Sequence, residues 1–468
     1  SMAVYASLLI AVGQAAVGWS YRDQSALVEA GLFVVILLAL LAQRRTLQRA
    51  EEGSSWEANQ EIRPTPRVLI EQSSIRTWRR LFIAAGAAFL LAFPWTVEPG
   101  LMNRAALAAI FAIVLLSLVV LTGWAGQVSL GQFGLVAIGA MAGGALTSRA
   151  DISFWLALPI GAIVCAVVAL VVGLPALRIR GLFLAVVTLA FASAVSLLLF
   201  DERYFGWLEP ENIRRPTLLF LDFEDERSMY YLSVVFLAVI IFVIASLRRS
   251  RPGRVLIAMR ENENDLQAMG INVVRTKLSA FALSGFLCGV AGVLFAHHQR
   301  AVSDTAFSPQ ASIDVLVYGI IGGIGSVTGG LLGSAFQSII ELFPLSDPVL
   351  QFFLNQQFGV IIILFLAPGG LAAMAYAMRD SIFRIVAQRQ QIVVPSLMAE
   401  YDPEVAERQL IPLGEAEDET EMAVLGSRKS YRLRSELYAK AGGDGGGSRA
   451  PDDRSALSAA ARRAAGED

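Results

Sequence analysis

Residues 105–146 read AALAAIFAIVLLSLVVLTGWAGQVSLGQFGLVAIGAMAGGAL. Two apolar runs, Ala105–Leu121 and Val128–Leu146, flank a stretch of glycines and neutral polar groups, Gly123–Gly134. Each run is close to the roughly 20 residues that cross the hydrocarbon core of a bilayer. The stretch between them carries Gln127, Ser129 and Gln132 to membrane depth. Irregular backbone is tolerated there only where protein encloses it or water fills a cavity beside it. The pattern is a helix break inside a helical membrane protein, and transporters place substrate sites at such breaks. The same residues also suit close helix packing, with polar side chains bonding between helices. Gly139, Gly143 and Gly144 fit that packing role.

Outward from this stretch, apolar runs recur along the 468 residues. They are Ala3–Trp19, Ser25–Leu41, Leu81–Phe93, Phe154–Leu174, Leu182–Phe200, Met229–Leu247, Leu278–Ala296, Ile313–Ile324, Gly329–Leu342 and Val349–Leu366, which with the first two makes twelve. Composition agrees: 55% of residues are hydrophobic and 17% charged, and mean hydropathy is +0.57. Soluble domains carry about 25% charged residues, so an ordinary soluble enzyme is excluded. Both cysteines, Cys165 and Cys288, lie in apolar runs, which excludes a disulfide scaffold. Two histidines, His297 and His298, leave almost nothing for a histidine metal site, and a net charge of −2 offers no field to nucleic acid.

Arginine placement orients the spans, because cytoplasmic loops are enriched in Lys and Arg. Gln43–Arg80 holds eight arginines, Leu177–Gly181 holds Arg178 and Arg180, and Arg248–Lys277 holds seven basic and three acidic residues. Asp201–Ser228 holds eight acidic and four basic residues. Twelve crossings from a cytoplasmic start put the first three segments inside, the fourth outside, and everything after Gly370 inside.

The chain divides on composition. Residues 1–42 form a two-helix membrane hairpin whose pattern echoes the pair of runs near Gly329–Leu366. Residues 43–80, too polar to insert, form a cytoplasmic linker. Residues 81–375 form the main bundle. Residues 376–468 begin with an amphipathic stretch, Met378–Val386, suited to lie on the membrane surface, and continue as a largely disordered cytoplasmic tail. The expected fold is thus an all-α polytopic membrane protein: about ten helices in one bundle, an extra N-terminal hairpin and a mostly disordered tail.

Motifs for chemistry are few. The sequence has no phosphate-binding glycine loop, no His-Glu-x-x-His and no Gly-x-Ser-x-Gly. Asp314, Glu341, His297 and His298 fall near the ends of runs, where water reaches them, so no buried carboxylate relay for ion-driven transport is evident. A second glycine break, Gly319–Gly330, contains Gly322, Gly323, Gly325 and Ser326. Paired interrupted segments in the two halves of a bundle point to a transport site. On the cytoplasmic side, Glu261–Ala268 is expected to make about two helical turns with acids early, where the helix dipole favours them, and Gly270 suits the stop. Such a helix is either a solvated loop element or a knob that docks into a partner's groove.

Together, Gly123–Gly134, Arg180–Ala190, Gly253–Gly270 followed by Lys277-Leu278-Ser279-Ala280-Phe281, and Gly322–Gly330 resemble the inner-membrane permease of branched-chain amino acid ABC importers, the LivM type. The resemblance covers residues 81–370, and residues 1–42 resemble the last hairpin of the companion LivH type. It implies a fused LivH–LivM protein with most of the first permease outside these residues. It implies no enzymatic activity, no catalytic residue, no metal and no cofactor on this chain. ATP would be bound by two partner ATPase subunits, and the other partners would be a LivH-type permease, a substrate-binding protein and the lipid bilayer, in a prokaryotic plasma membrane. Carried over residue by residue, Gly126, Gln127, Ser129 and Gln132 become pathway residues, and Gly322, Gly323, Gly325 and Ser326 join them as candidates from the second glycine break. Glu261, Asn262, Glu263, Asn264, Asp265, Ala268 and Gly270 become the ATPase-coupling helix. Related systems carry urea or short amides. An ion-coupled secondary transporter or a polytopic membrane enzyme are the other classes, and the scarcity of buried charge and of a polar catalytic cluster weighs against them.

Overall fold

The computed structural model describes residues 73–177, 181–210, 212–218, 221–342, 365 and 369–389, together with residues 11–13, 15, 19, 31–35 and 37. The runs expected at 3–19, 25–41 and 349–366 lie largely or wholly outside the described residues, as do 43–72 of the linker and the tail beyond Arg389.

Twelve α-helices follow in chain order among the described residues, besides four-residue turns at Glu202–Phe205 and, as a 3-10 helix, Asp304–Phe307. They are α1 Ser73–Thr96, α2 Pro99–Leu118, α3 Gln132–Ser148, α4 Phe154–Ala176, α5 Leu182–Leu199, α6 Glu226–Arg249, α7 Arg251–Glu261, α8 Glu263–Ala268, α9 Val273–Gln299, α10 Pro309–Gly322, α11 Val327–Leu342 and α12 Gly370–Arg389. A π-helical turn, Val119–Trp124, extends α2 into one 26-residue span. Two-residue strands β1 Thr217–Leu218 and β2 Leu221–Asp222 pair antiparallel in the loop before α6. The protein is an all-α polytopic membrane protein. Among the described residues four helices are long and apolar enough to cross a membrane, and the bent pair α10–α11 is a fifth candidate.

The core is built around α9, which packs on α2, α3 and α4. Its buried residues lie on all its faces, from Val273 to His298. Small residues permit this. An ideal Cβ at Gly292 would lie 2.2 Å from the Val136 carbonyl oxygen of α3, and one at Gly289 would lie 2.6 Å from Ala162 Cα of α4. Without a hydrophobic drive between helices in lipid, such close approach supplies the dispersion contact that holds them. Gly143, against Val293, and Gly144, against Pro210 and Ile213, are packed in the same manner.

Segment 201–228 caps one end of the bundle. Arg149, just after α3, donates to the carbonyls of Glu209 at 2.6 Å and Gly206 at 3.0 Å. Trp155 donates to Thr217 O at 3.0 Å. Arg300, past the end of α9, pairs with Glu224 at 2.5 Å. The 24-residue α6 connects this end to α7 and α8 at the other, so the acidic and arginine-rich segments sit at opposite ends, as expected from their charges.

Several boundaries differ from the sequence reading. Residues 73–80 are helical, so the linker drawn to residue 80 gives way to α1 eight residues early; apolar content falls there before helicity does. The boundary at 375 cuts through α12, because the amphipathic stretch continues the helix that begins at Gly370. Runs Ile313–Ile324 and Gly329–Leu342, read as two crossings, are α10 and α11 bent by 119° at a short break. Such a pair is one broken span or a re-entrant loop. His297 and His298, read as water-accessible, are 0% and 1% exposed, because α9 runs to Gln299 beneath the cap.

Candidate functional site

The two glycine breaks meet. The first follows the π turn, whose bonds run from Ala125 N to Val120 O at 3.2 Å, and continues without helix through Gly131. Single π turns inside helices recur at functional sites. Gly123 is buried here, and an ideal Cβ on it would lie 2.1 Å from the Ile324 carbonyl oxygen. Ile324 sits in the bend between α10 and α11, where Gly323 has φ +99°. Glycine alone adopts that conformation without strain.

The polar side chains of the first break are turned into protein. Gln127 Nε2 donates to Ala125 O at 3.2 Å, and Thr122 donates to Gln127 O at 3.0 Å. Ser129 Oγ accepts from Gly131 N at 3.2 Å. Leu130 N donates to Thr188 Oγ1 of α5 at 2.8 Å. Gln132 is 1% exposed. Its Oε1 accepts from Cys288 Sγ at 2.8 Å, and its Nε2 donates to Ser284 Oγ at 3.3 Å, both on α9. Ser117 Oγ of α2, 3.2 Å from the same amide oxygen, completes a polar knot of three helices.

The second break is a backbone-on-backbone turn. An ideal Cβ at Gly322 would fall 2.1 Å from Gly329 O. Ser326 Oγ accepts from Gly329 N at 2.9 Å and so caps α11. Of the eight residues expected in the pathway, Gly126 is exposed, Gly325 half-buried, and the other six buried. A cavity of about 310 Å³ lies elsewhere, at the capped end, lined by Ser196, Leu197, Phe200, Asp304, Thr305, Ser308 and Pro309.

The expected coupling helix is corrected at its start. Glu261 closes α7, and Asn262, with extended backbone (φ −152°, ψ 105°), separates it from α8. Asn262 Oδ1 accepts from Asn264 N at 2.9 Å and Asp265 N at 3.3 Å, so it is a cap. Glu263 and Asp265 occupy the first turn. At the far end Ile271 N donates to Leu266 O and Gly270 N to Gln267 O, both at 3.0 Å, with Gly270 at φ +78°. That is a Schellman stop, which favours glycine. Helix α8 buries Leu266 and exposes Asn264, Asp265, Gln267 and Ala268, and Met269 beyond them is 76% exposed.

Besides the buried Leu256, Met259 and Leu266, two polar contacts tie this arm to the bundle, and sequence reasoning selected neither. Glu263 pairs with Lys277 of α9 at 2.6 Å, where the Lys277 side chain is 3% exposed. Arg260 of α7 donates from a terminal nitrogen to Gly123 O at 2.7 Å. Burial lowers the Arg260 pKa and Glu261 raises it in part; the guanidinium stays charged at neutral pH. The available signal was the pair Leu256 and Met259, three apart, which marks the buried face of α7 beside Arg260. Among the described residues no group of three or more His, Cys, Asp or Glu is placed to hold a metal ion.

A family model described as branched-chain amino acid transport system / permease component matches residues 100–367. The high-affinity branched-chain amino acid transport system permease protein LivM of Escherichia coli K12 is 33% identical over 282 residues, covering 55% of this chain and 66% of that protein. The counterpart of the same name from Salmonella typhimurium has the same identity and coverage. A probable branched-chain amino acid transport permease protein LivH of Methanocaldococcus jannaschii is 29% identical over 131 residues, 28% of this chain and 39% of that protein. The chain thus spans 66% of the length of the two LivM relatives. No solved structure matches it.

Proposed function

The chain belongs to the branched-chain amino acid transport system permease family, and from that premise we propose that it is the LivM-type transmembrane subunit of an ATP-driven importer of branched-chain amino acids. It carries no catalytic residue in this reading. Two partner ATPases bind ATP, a LivH-type permease completes the pathway, and a binding protein delivers substrate at the end capped by 201–228. The arm of α7 and α8 faces the cytoplasm of a prokaryotic cell, as do the linker and the tail. Residues 1–42 are the closing hairpin of a LivH-type domain.

The observation that carries this reading is helix α8. It is short, capped at both ends, presents polar side chains and the exposed Met269, and is fixed to the bundle through Glu263 and Lys277. That is the form of a docking knob on a rigid arm. The hydrogen bonds of Gln127, Ser129, Gln132 and Ser326 support a share in the pathway as framework: they hold the breaks in shape, and Gly126 and Gly325 are left as the accessible surface. ATP closure of the ATPase pair would move the docked arm and shift the bundle between inward- and outward-facing states, to the extent that the ligands bind the two states differently.

The test is uptake into proteoliposomes holding the chain with its LivH-type partner, ATPases and binding protein. Labelled leucine, isoleucine, valine and urea are compared with and without ATP on the ATPase side. ATP-dependent uptake of the three amino acids is expected. Uptake of urea alone keeps the machine and changes its cargo. Uptake that follows an ion gradient and ignores ATP overturns the reading.

A further inference from the structure

Gly123 touches both the other glycine break and the cytoplasmic arm. Its Cα lies against the Ile324 carbonyl, with no room for a side chain. Its own carbonyl, at the C-terminal end of the α2 span where helical carbonyls lack partners, accepts from Arg260. Gly126 packs on the other side of the same arginine: at φ +69°, an ideal Cβ on it would meet Arg260 Cγ at 3.1 Å. Residues 123 and 126 thus meet Arg260 at its two ends, the guanidinium on the Gly123 carbonyl and the stem beside Gly126. Three positions along the chain, Glu263 fixes the arm to the first turns of α9 through Lys277. The arm thus meets the central helix through Glu263 and the break through Arg260.

We propose that Arg260 is the positioning residue through which motion of the ATPase-docking arm reaches both glycine breaks, by way of the Gly123 carbonyl and the Ile324 turn. The inference rests on the importer reading above for what drives the arm. The junction itself rests on geometry alone. Displacement of α7, which packs on α9 and on the π turn, is carried to Gly123 through Arg260. Gly123 cannot move toward Ile324, so α10 and α11 must shift with it. Packed contacts of this kind pass between discrete arrangements and do not deform smoothly. A helix C-terminus also favours a cation through its dipole, and that local capping effect alone would be satisfied without any relay.

The experiment separates the two. The full complex is prepared with Arg260→Gln and Arg260→Lys, and leucine uptake per ATP hydrolysed is measured beside hydrogen exchange of the purified chain. Arg260→Gln is expected to lower uptake per ATP at least tenfold while the ATPases still co-purify. It is also expected to raise exchange at least fivefold in residues 119–131 and in 322–326. Arg260→Lys, a cation of shorter reach, is expected to restore a substantial part of both. Exchange that rises in 119–131 and leaves 322–326 unchanged reduces Arg260 to a helix cap and overturns the relay, as does unchanged uptake per ATP. If the wild-type complex hydrolyses ATP and moves no solute, the importer reading falls, and exchange at 322–326 still decides whether the junction exists.

Discussion

Gly123, Gly270 and Gln132 show how one residue type or one hydrogen-bond set can be tested alone. Gly123→Ala places a methyl group 2.1 Å from a backbone oxygen. Overpacking of this kind costs about 1–3 kcal/mol, so the thermal midpoint of the detergent-purified chain is expected to fall. Gly270→Ala meets nothing within 4 Å and only the left-handed backbone at φ +78° resists it. The penalty there is about 1–2 kcal/mol, confined to the end of α8, so weakened ATPase co-purification is expected with the bundle's melting unchanged. Gln132→Leu removes the amide shared by Ser284 and Cys288. Polar contacts between membrane helices are worth roughly 0.6 kcal/mol and up to about 1.7, so a stability loss of that size is expected, with the substrate KM retained. A raised KM at unchanged stability would mean that Gln132 meets the substrate itself. The sequence made Gln127, Ser129 and Gln132 visible because polar groups between apolar runs stand out. It could not say that Gln132 turns toward α9, since Ser284 and Cys288 lie more than 150 positions away and carry no pattern of their own.

At the level of elements, the sequence reading makes Glu261–Ala268 one short helix, because acids and a glycine stop frame it, and leaves α7 unread. The break at Asn262 was legible in principle, since asparagine favours capping positions over helix interiors. The fixing of the arm was not, because Lys277 sits in a run that reads as the start of a span. Removing one partner of a buried pair costs about 3–5 kcal/mol, since the other charge stays buried. Glu263 is partly exposed and Lys277 is not, so Glu263→Gln is expected to fall at the low end, about 3 kcal/mol. Limited proteolysis should then cut near residues 262–272, and unaltered resistance there would show that the arm is held by something else. The central α9 was recognised as a span, yet its burial on every side was invisible: with small and large residues on all faces, it has no apolar stripe to read.

For the whole molecule, the apolar runs predicted helices well where lipid faces them and less well where protein does. Helices α2, with its π turn, and α9 bury 78% and 72% of their most apolar window, while α4 and α6 bury 33% and 28%. The outer surface of α4 carries Leu156, Ile160, Ile163, Val167, Val171 and Leu174, and that of α6 carries Val235, Val239 and Phe242. These stripes have the composition of a lipid-facing surface. A charge at the centre of a spanning helix costs about 2.5–3.5 kcal/mol on insertion scales, so Phe242→Lys is expected to lower the membrane-integrated fraction. Extraction of membranes at alkaline pH measures it.

The bent pair has a consequence for how the chain is made. Helix α10 has 14 residues and α11 has 16, lengths of about 21 and 24 Å. Neither spans the roughly 30 Å hydrocarbon core alone. Their ends at the bend are covered by Gly123 and by the turn at Gly370, whose own ideal Cβ would lie 2.7 Å from Ile321 O. During synthesis this hairpin therefore finds its seat only against α2, α3 and α5, the earlier helices on which it packs. The order of residues along the chain supplies those three helices first, and the Gly370 turn that covers the bend is made only after the hairpin itself.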